Sequence, residues 1–350
     1  ARQGLTYMLP SSDALEAGRL LTKRFGNFRW QIATTASDAN RCAIRIARAV
    51  TGRPKILVFN GCYHGTVEDV MVELKDGETT TRAGMLGQVA DPAAHAVVVE
   101  FNDITALQEA LAKGDVAAVL AEPVMTNCCM VLPDEGFWPA ARAACDAAGT
   151  LLIMDETHTV SSGLGGWARG HSLRSDIFVI GKSVAGGVAC AAWGLAPDLA
   201  RRFMDHDAKR VPGHSGMGTT LSGNPLQFAA LRANLDKVMT AKAYAHMEKL
   251  AARLADGLNA AITGAALPWH VVRVGARVEF ICAPGPLRNG AEAMAAHSGP
   301  MERAVHLGLV NRGCLIAPFH NMMLISPATK KRQVDRLIGA FVEVLAELVE

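Results

Sequence analysis

Short, almost purely apolar runs alternate with helix-period stretches along the first half of the chain. Lys55–Phe59, Ala96–Phe101, Val116–Ala121, Leu151–Asp155 and Ile177–Ile180 are too short for buried helices and lack the polar alternation of a half-solvated strand. A strand apolar on both sides is covered on both faces, which is the signature of a parallel sheet between two helical layers. The intervening segments Asp38–Thr51, Ile104–Lys113 and Gly136–Ala147 supply such helices. The expected class is therefore α/β, with a mainly parallel sheet, and ligands of such sheets bind at the carboxyl ends of the strands.

The texture changes after about Asn224, where helix-prone sequence runs through Leu258, followed by a Val-rich stretch from Val271 to Cys282 and a terminal helix from Lys330. This reads as a large domain over residues 1–235 and a smaller α+β domain over residues 236–350. At the beginning, Asp13-x-x-Glu16 has the spacing of a capping box that opens a helix at once, leaving no leading strand.

Composition narrows the partners. Lys and Arg number 35 against 33 Asp and Glu, with no concentrated basic run, so nucleic acid is not an expected partner. The charged fraction of 19% lies below the roughly 25% of an average soluble chain, which points to much buried surface and to an oligomer. The most membrane-like window, Phe178 to Pro197, carries Lys182 and four glycines, so no spanning helix is expected. The eight cysteines form no CxxC pair and no Cys/His cluster of metal spacing, and no secretory leader opens the sequence. These features fit a reducing, cytoplasmic setting.

Four motifs fall where the sheet's carboxyl edge is expected. Lys182 follows the run ending at Ile180-Gly181 and precedes Gly186-Gly187, which give the backbone freedom to turn near a ligand. Gly181-Lys182-Ser183 imitates the end of a phosphate-binding P-loop, but Asp176 stands where that motif needs its first glycine, and the residues between are strand. Asp155 ends the run Leu151–Asp155 at the same edge. Alone, it reads equally well as a helix cap. Ala36-Ser37-Asp38-Ala39 introduces an alanine- and arginine-rich helix whose first amides can hold an anion, or whose polar residues can merely cap it. Gly61-Cys-Tyr63-His64-Gly65 sets an aromatic ring and an imidazole between glycines, suited to stacking on a flat ring or to plain packing. One ligand would use all four: an aldehyde for the lysine, a ring nitrogen for the acid, a phosphate for the helix start and a flat ring for the tyrosine. Pyridoxal 5′-phosphate (PLP) has these groups.

Six ordered stretches then carry a resemblance over nearly the entire chain: Thr35-Ala-Ser-Asp-Ala-Asn40, Gly61-Cys-Tyr-His-Gly65, Ala121-Glu-Pro-Val-Met-Thr-Asn127, Asp155-Glu-Thr-His-Thr159, Gly181-Lys182 and Thr220-Leu-Ser-Gly-Asn-Pro225. The chain resembles the class III aminotransferases, fold type I PLP enzymes, in the branch near glutamate-1-semialdehyde aminomutase and the β-amino acid aminotransferases. The resemblance implies that Lys182 forms the imine with the cofactor and shuttles the proton, and that Asp155 bonds the pyridine nitrogen. It implies that Tyr63, with His64 beside it, stacks on one ring face, and that Thr157 covers the other, where the family usually has Val. Ala36 and Ser37 match the phosphate-binding pair, and Thr220 matches a threonine that reaches the neighbouring subunit's phosphate in a homodimer. Asn127 and His158 match positions near the 3-hydroxyl, and Glu122 one on the substrate side.

Two departures concern the substrate. Family members carry several dozen residues before the point where this sequence begins, a segment that closes the site and often supplies an arginine. The stretch Pro318-Phe-His320-Asn321 resembles the substrate-facing loop of the β-amino acid branch but has no arginine, which leaves Arg29, Arg277 and Arg288 as candidates for a carboxylate. The expected activity is ping-pong transfer of an amino group from an amino acid, a β-amino acid or an amine to a 2-oxo acid. The alternatives are an aminomutase or epimerase, and a PLP-binding protein with crippled catalysis.

Overall fold

The computed structural model describes residues 9–317 and 321–349. In chain order the strands are β1 (Arg29–Ala33), β2 (Lys55–Phe59), β3 (Val72–Lys75), β4 (Glu78–Thr81), β5 (Ala96–Val99), β6 (Val116–Ala121), β7 (Leu151–Asp155), β8 (Ile177–Ile180), β9 (Ala191–Leu195), β10 (His270–Val274), β11 (Arg277–Ile281) and β12 (Met322–Leu324). The central sheet has the order β1-β9-β8-β7-β6-β2-β5. Strands β8, β7, β6, β2 and β5 run parallel, while β9 is antiparallel to both β8 and β1. The carboxyl ends of β2, β6, β7 and β8 thus lie along one edge.

The double apolar character of these strands has a direct cause. Ile56 and Val58 of β2 enter one core with the first long helix after β1, whereas Leu57 and Phe59 enter another with Phe101, Phe137 and Trp138. Val119 and Leu120 of β6 divide in the same way. Successive side chains point to opposite faces, so each strand must be apolar throughout.

Two helices matter most for the site. The first, α1 (Ser12–Phe25), is capped by the Ser11 side chain, which accepts from the Ala14 amide. The expected Asp13/Glu16 box does not open it, because Ser11 takes the N-cap, two residues before Asp13, and Asp13 instead pairs with Arg232 at 2.7 Å. The second, α2 (Ala36–Thr51), buries Ala39, Asn40, Ala43, Ile44 and Ala47 against the sheet. It begins two residues before the expected start at Asp38, so Ala36 and Ser37 belong to its first turn.

The smaller sheet has the order β10-β11-β12 and is antiparallel, with β11 fully buried. Helices Ala241–Gly264 and Lys331–Val349 pack with it, and their core is continuous with Phe178 and Ile180 of the large sheet. Near residue 235 the chain passes through a π-helical turn, Asn234–Val238, before the helix Ala241–Gly264. Among the described residues no helix is long and apolar enough to cross a membrane.

Candidate active site

At the carboxyl edge of the central sheet a cavity of about 340 Å³ is lined by residues from five segments. The start of α2 contributes Ala36 and Ser37, the exit of β2 Tyr63 and His64, and the exit of β6 Glu122 and Asn127. The end of β7 adds Asp155, Thr157 and His158, and the exit of β8 adds Lys182.

The start of α2 is built to receive an anion. Thr35 and Asp38 form a reciprocal cap: the Thr35 hydroxyl accepts from the Asp38 amide at 3.2 Å, and the Asp38 carboxylate accepts from the Thr35 amide at 3.2 Å. The amides of Ala36 and Ser37 precede any intrahelical acceptor, and the helix dipole adds positive potential there. Two glycines let neighbouring loops close on this turn. A Cβ at Gly65, whose φ is +87°, would lie 2.1 Å from the Ser37 hydroxyl, and one at Gly181 would lie 2.9 Å from the Ala36 methyl. The Ser37 hydroxyl in turn accepts from the Thr66 amide at 3.0 Å.

Asp155 is buried, and its carboxylate is fully engaged. One oxygen faces His64 Nδ1 at 3.0 Å and accepts from Asn40 Nδ2 at 2.9 Å, while the other accepts from the Thr157 amide at 3.0 Å. Burial alone would raise the acid, but the hydrogen bond and charge of His64, with the Thr157 and Asn40 donors, outweigh it and hold Asp155 at about 2. His64 moves the other way. Burial lowers it, but Cys62 first, and then the hydrogen bond and charge of Asp155, raise it to about 10. Asp155 and His64 therefore form a buried charge pair at neutral pH. The Thr157 hydroxyl, also on the cavity wall, is buried with no hydrogen-bond partner among the described residues, so it is available to a ligand.

Lys182 stands just past β8 with φ +48°, a left-handed conformation that costs a non-glycine residue roughly 1 kcal/mol or more. Its amine is lowered from the ordinary lysine value, chiefly by burial and also by Arg277, against the opposing charges of Asp155 and Glu122. The lowered value increases the unprotonated fraction, which is the form that attacks a carbonyl.

On the far side Glu122 is buried. It accepts from Asn127 Nδ2 at 2.8 Å and from the Thr126 hydroxyl, which also bonds His158 Nδ1. Burial raises the Glu122 acid, partly offset by His64, Thr126 and Asn127. Asn127 Nδ2 lies 3.4 Å from the Tyr63 carbonyl, which ties this cluster to the half-exposed tyrosine at the cavity rim.

Other sequence candidates fall elsewhere. Arg29 lies on β1 beside a separate cavity, with its guanidinium on Asn27. Arg288 is exposed and paired with Asp134. Thr220 is exposed on the connection between helices Pro197–Asp207 and Pro225–Ala233 and does not line the cavity. His320 lies outside the described residues. The sequence reading passed over Asn40, although an asparagine on the apolar face of α2 was a usable signal. It also passed over Thr126, the link between Glu122 and His158.

The site residues fit PLP: a helix start whose Ala36 and Ser37 amides lie outside its Thr35–Asp38 cap, walled by two close-approach glycines, for the phosphate, an acid held ionised for the ring nitrogen, and an amine of lowered pKa for the aldehyde. Fold and site together are those of a fold type I PLP enzyme. The class III aminotransferase family model matches residues 5–345, and the chain belongs to that family, whose cofactor is PLP. It is 32% identical over 353 residues to the glutamate-1-semialdehyde 2,1-aminomutase of Anaeromyxobacter sp. strain Fw109-5, covering 99% of this chain and 80% of that protein. Among solved structures, a glutamate-1-semialdehyde aminomutase from Pseudomonas aeruginosa PAO1 superposes with a TM-score of 0.96 at 45% identity, covering 99% of this chain and 78% of that one. A lysine-to-alanine variant of it was solved in complex with PMP. An omega-transaminase from Sphaerobacter thermophilus follows with a TM-score of 0.88 at 25% identity, covering 99% and 80%.

Proposed function

We propose that this chain is an aminomutase-type isomerase that moves an amino group within one amino-acid-derived substrate, with transamination between two substrates as the second reading. The observation that carries the chemistry is the convergence of Lys182, Asp155 and the opening turn of α2 on one cavity. The order of the two readings rests on the relatives at 32% and 45% identity, both named as glutamate-1-semialdehyde aminomutases. The Sphaerobacter omega-transaminase supports the second reading.

PLP, when bound, supplies an aldehyde that condenses with amines and a ring that takes up electrons from the carbon bearing the nitrogen. The chain supplies the rest. The Ala36 and Ser37 amides would hold the phosphate, and Asp155, kept ionised by His64 and Asn40, would keep the proton on the pyridine nitrogen. Tyr63 covers the ring at the rim and shields it from water. Lys182 would supply the amine that meets the aldehyde and, with its amine free, the base that lifts and returns the substrate's proton. The exposed Thr220 supports a homodimer in which this residue reaches the neighbouring subunit's phosphate.

The test is turnover of glutamate 1-semialdehyde by the PLP-loaded chain with and without an added 2-oxo acid. Isomerisation without any acceptor is expected. A strict requirement for 2-oxo acid would favour transamination, and a loaded cofactor that exchanges nitrogen with no amine would sink both readings.

A further inference from the structure

Arg277 heads β11 and is about 95% buried, with 5% of its surface exposed. Its Nε is used twice, donating to the His158 carbonyl at 3.0 Å and to the Ser161 hydroxyl at 2.9 Å. The other end of the guanidinium has no comparable acceptor. Nη1 meets only the Met322 sulfur at 3.3 Å, and among the described residues no carboxylate lies within 4.0 Å of Arg277. The contrast within this chain is Arg142, also buried, which is paired at 2.7 Å with Asp176 and at 2.8 Å with Asp146. Arg277 has Glu122 and Glu279 near enough to act on it by charge but no carboxylate among the described residues in contact, and a buried cation without a contacting partner is costly and is completed by an anion that reaches it.

The position says where that anion would sit. His158, whose carbonyl takes the Arg277 Nε, is itself on the cofactor cavity wall. Arg277 also acts electrostatically on Lys182 and Glu122, two further residues of that wall. With Nε tied back and Nη1 on the Met322 sulfur alone, the Nη1–Nη2 end has no oxygen acceptor among the described residues, and that planar pair of donors matches a carboxylate. The phosphate has its own place at the start of α2, under Gly65 and Gly181, so Arg277 serves a second anion.

We infer that Arg277 binds the carboxylate of the substrate, so that the substrate class is an amino acid whose carboxylate lies on the small-sheet side of the cavity beside His158. This deepens the proposed function and rests on the cavity being a site for amino compounds. Arg277 takes the role for which sequence also offered Arg29 and Arg288: none of the three is itself on the cavity wall, but Arg277 alone bonds a residue that is, His158.

The test reads carboxylate binding apart from catalysis. Glutarate, which has no amine to react, is titrated calorimetrically into the PLP-loaded full chain, with its uncharged diamide as the control, in wild type and in Arg277→Gln. Glutarate affinity is expected to fall at least about tenfold in Arg277→Gln, the effect of losing one charged hydrogen-bonded pair, with diamide affinity unchanged. Arg277→Lys, which keeps the cation but loses the fork, is expected to fall between, and it stands in if the Gln variant does not fold. Equal glutarate binding by wild type and the variants, or equal losses for glutarate and diamide, would overturn the assignment and leave Arg277 a staple between β11 and the His158 loop. A chain that catalyses no amino exchange yet loses glutarate affinity in Arg277→Gln would sustain Arg277 and sink the function proposed above.

Discussion

His64 Nδ1 and Asp155 Oδ2 lie 3.0 Å apart with both side chains sealed from solvent. The pair spans β2 and β7, because the loop leaving β2 folds back over the strand end that carries Asp155. It lets a fully buried carboxylate remain ionised, which is the state that favours a protonated ring nitrogen. Replacing His64 by Asn removes the cation and leaves the acid with its Asn40 and Thr157 donors alone. The expected cost is about 1–3 kcal/mol of stability, read as a fall in melting temperature, together with a rise in the pH at which Asp155 protonates. An unchanged acid limb in the pH dependence of the bound cofactor's absorbance would show that His64 does not hold the charge.

Gly65 has φ +87°, and a Cβ there would stand 2.1 Å from the Ser37 hydroxyl. Gly65→Ala must therefore both strain the backbone and push back the first turn of α2. The overlap should cost about 1–3 kcal/mol in stability and weaken PLP affinity at least about tenfold, measured by absorbance titration. Wild-type affinity in this variant would mean that the phosphate is not held at the start of α2.

Glu156 gives a pH prediction of opposite sign to Asp155. It is fully buried and accepts from the Thr159 hydroxyl at 2.6 Å and from the Trp167 and Ala168 amides at 2.9 and 2.6 Å. Burial exceeds these donors and raises the acid from 4.5 to about 7. A carboxyl whose folded value lies above its unfolded one stabilises the fold most below the unfolded value, and that contribution fades as pH rises through the folded one. Stability from Glu156 should thus be greatest below pH 4.5 and decline by at most about 3 kcal/mol by pH 8. Between pH 5 and 8 the melting temperature of Glu156→Gln should start lower, because its amide faces two backbone donors, and should slope less than wild type. Parallel slopes would refute the assignment.

The strand ends were legible because burial on both faces forces apolar continuity, and a polar residue that breaks such a run stands out. Lys182 and Asp155 are readable in that way. The antiparallel side of the sheet, β1 and β9, was not, since Arg29–Ala33 alternates polar and apolar residues and Ala191–Leu195 sits in a glycine-rich stretch that looks like a turn. Asn40 escaped for another reason: its partner Asp155 is 115 residues away, and no local pattern announces a long-range hydrogen bond. Arg277 could be noted as a residue type, but that no carboxylate among the described residues contacts it shows only in three dimensions.

Lys182→Ala is the decisive substitution for the chemistry. Alanine tolerates the left-handed backbone at this position about as well as lysine does, so the fold should survive, and the α2 turn and Asp155 remain to hold PLP. Amino-group movement should fall by roughly 10²–10⁴ or more, because among the described residues no other lysine lines the cavity to act as nucleophile or base. A small primary amine such as methylamine should restore part of the rate if the missing function is the amine itself. Rapid mixing of the loaded variant with amino donor, followed by absorbance, separates the cases. Slow turnover rescued by methylamine supports Lys182 as the proton-moving base. Slow turnover without rescue leaves Lys182 a purely structural or electrostatic part of the wall. Wild-type turnover in Lys182→Ala would remove it from the mechanism altogether, and with it the reason for reading the β8 exit as the centre of the site.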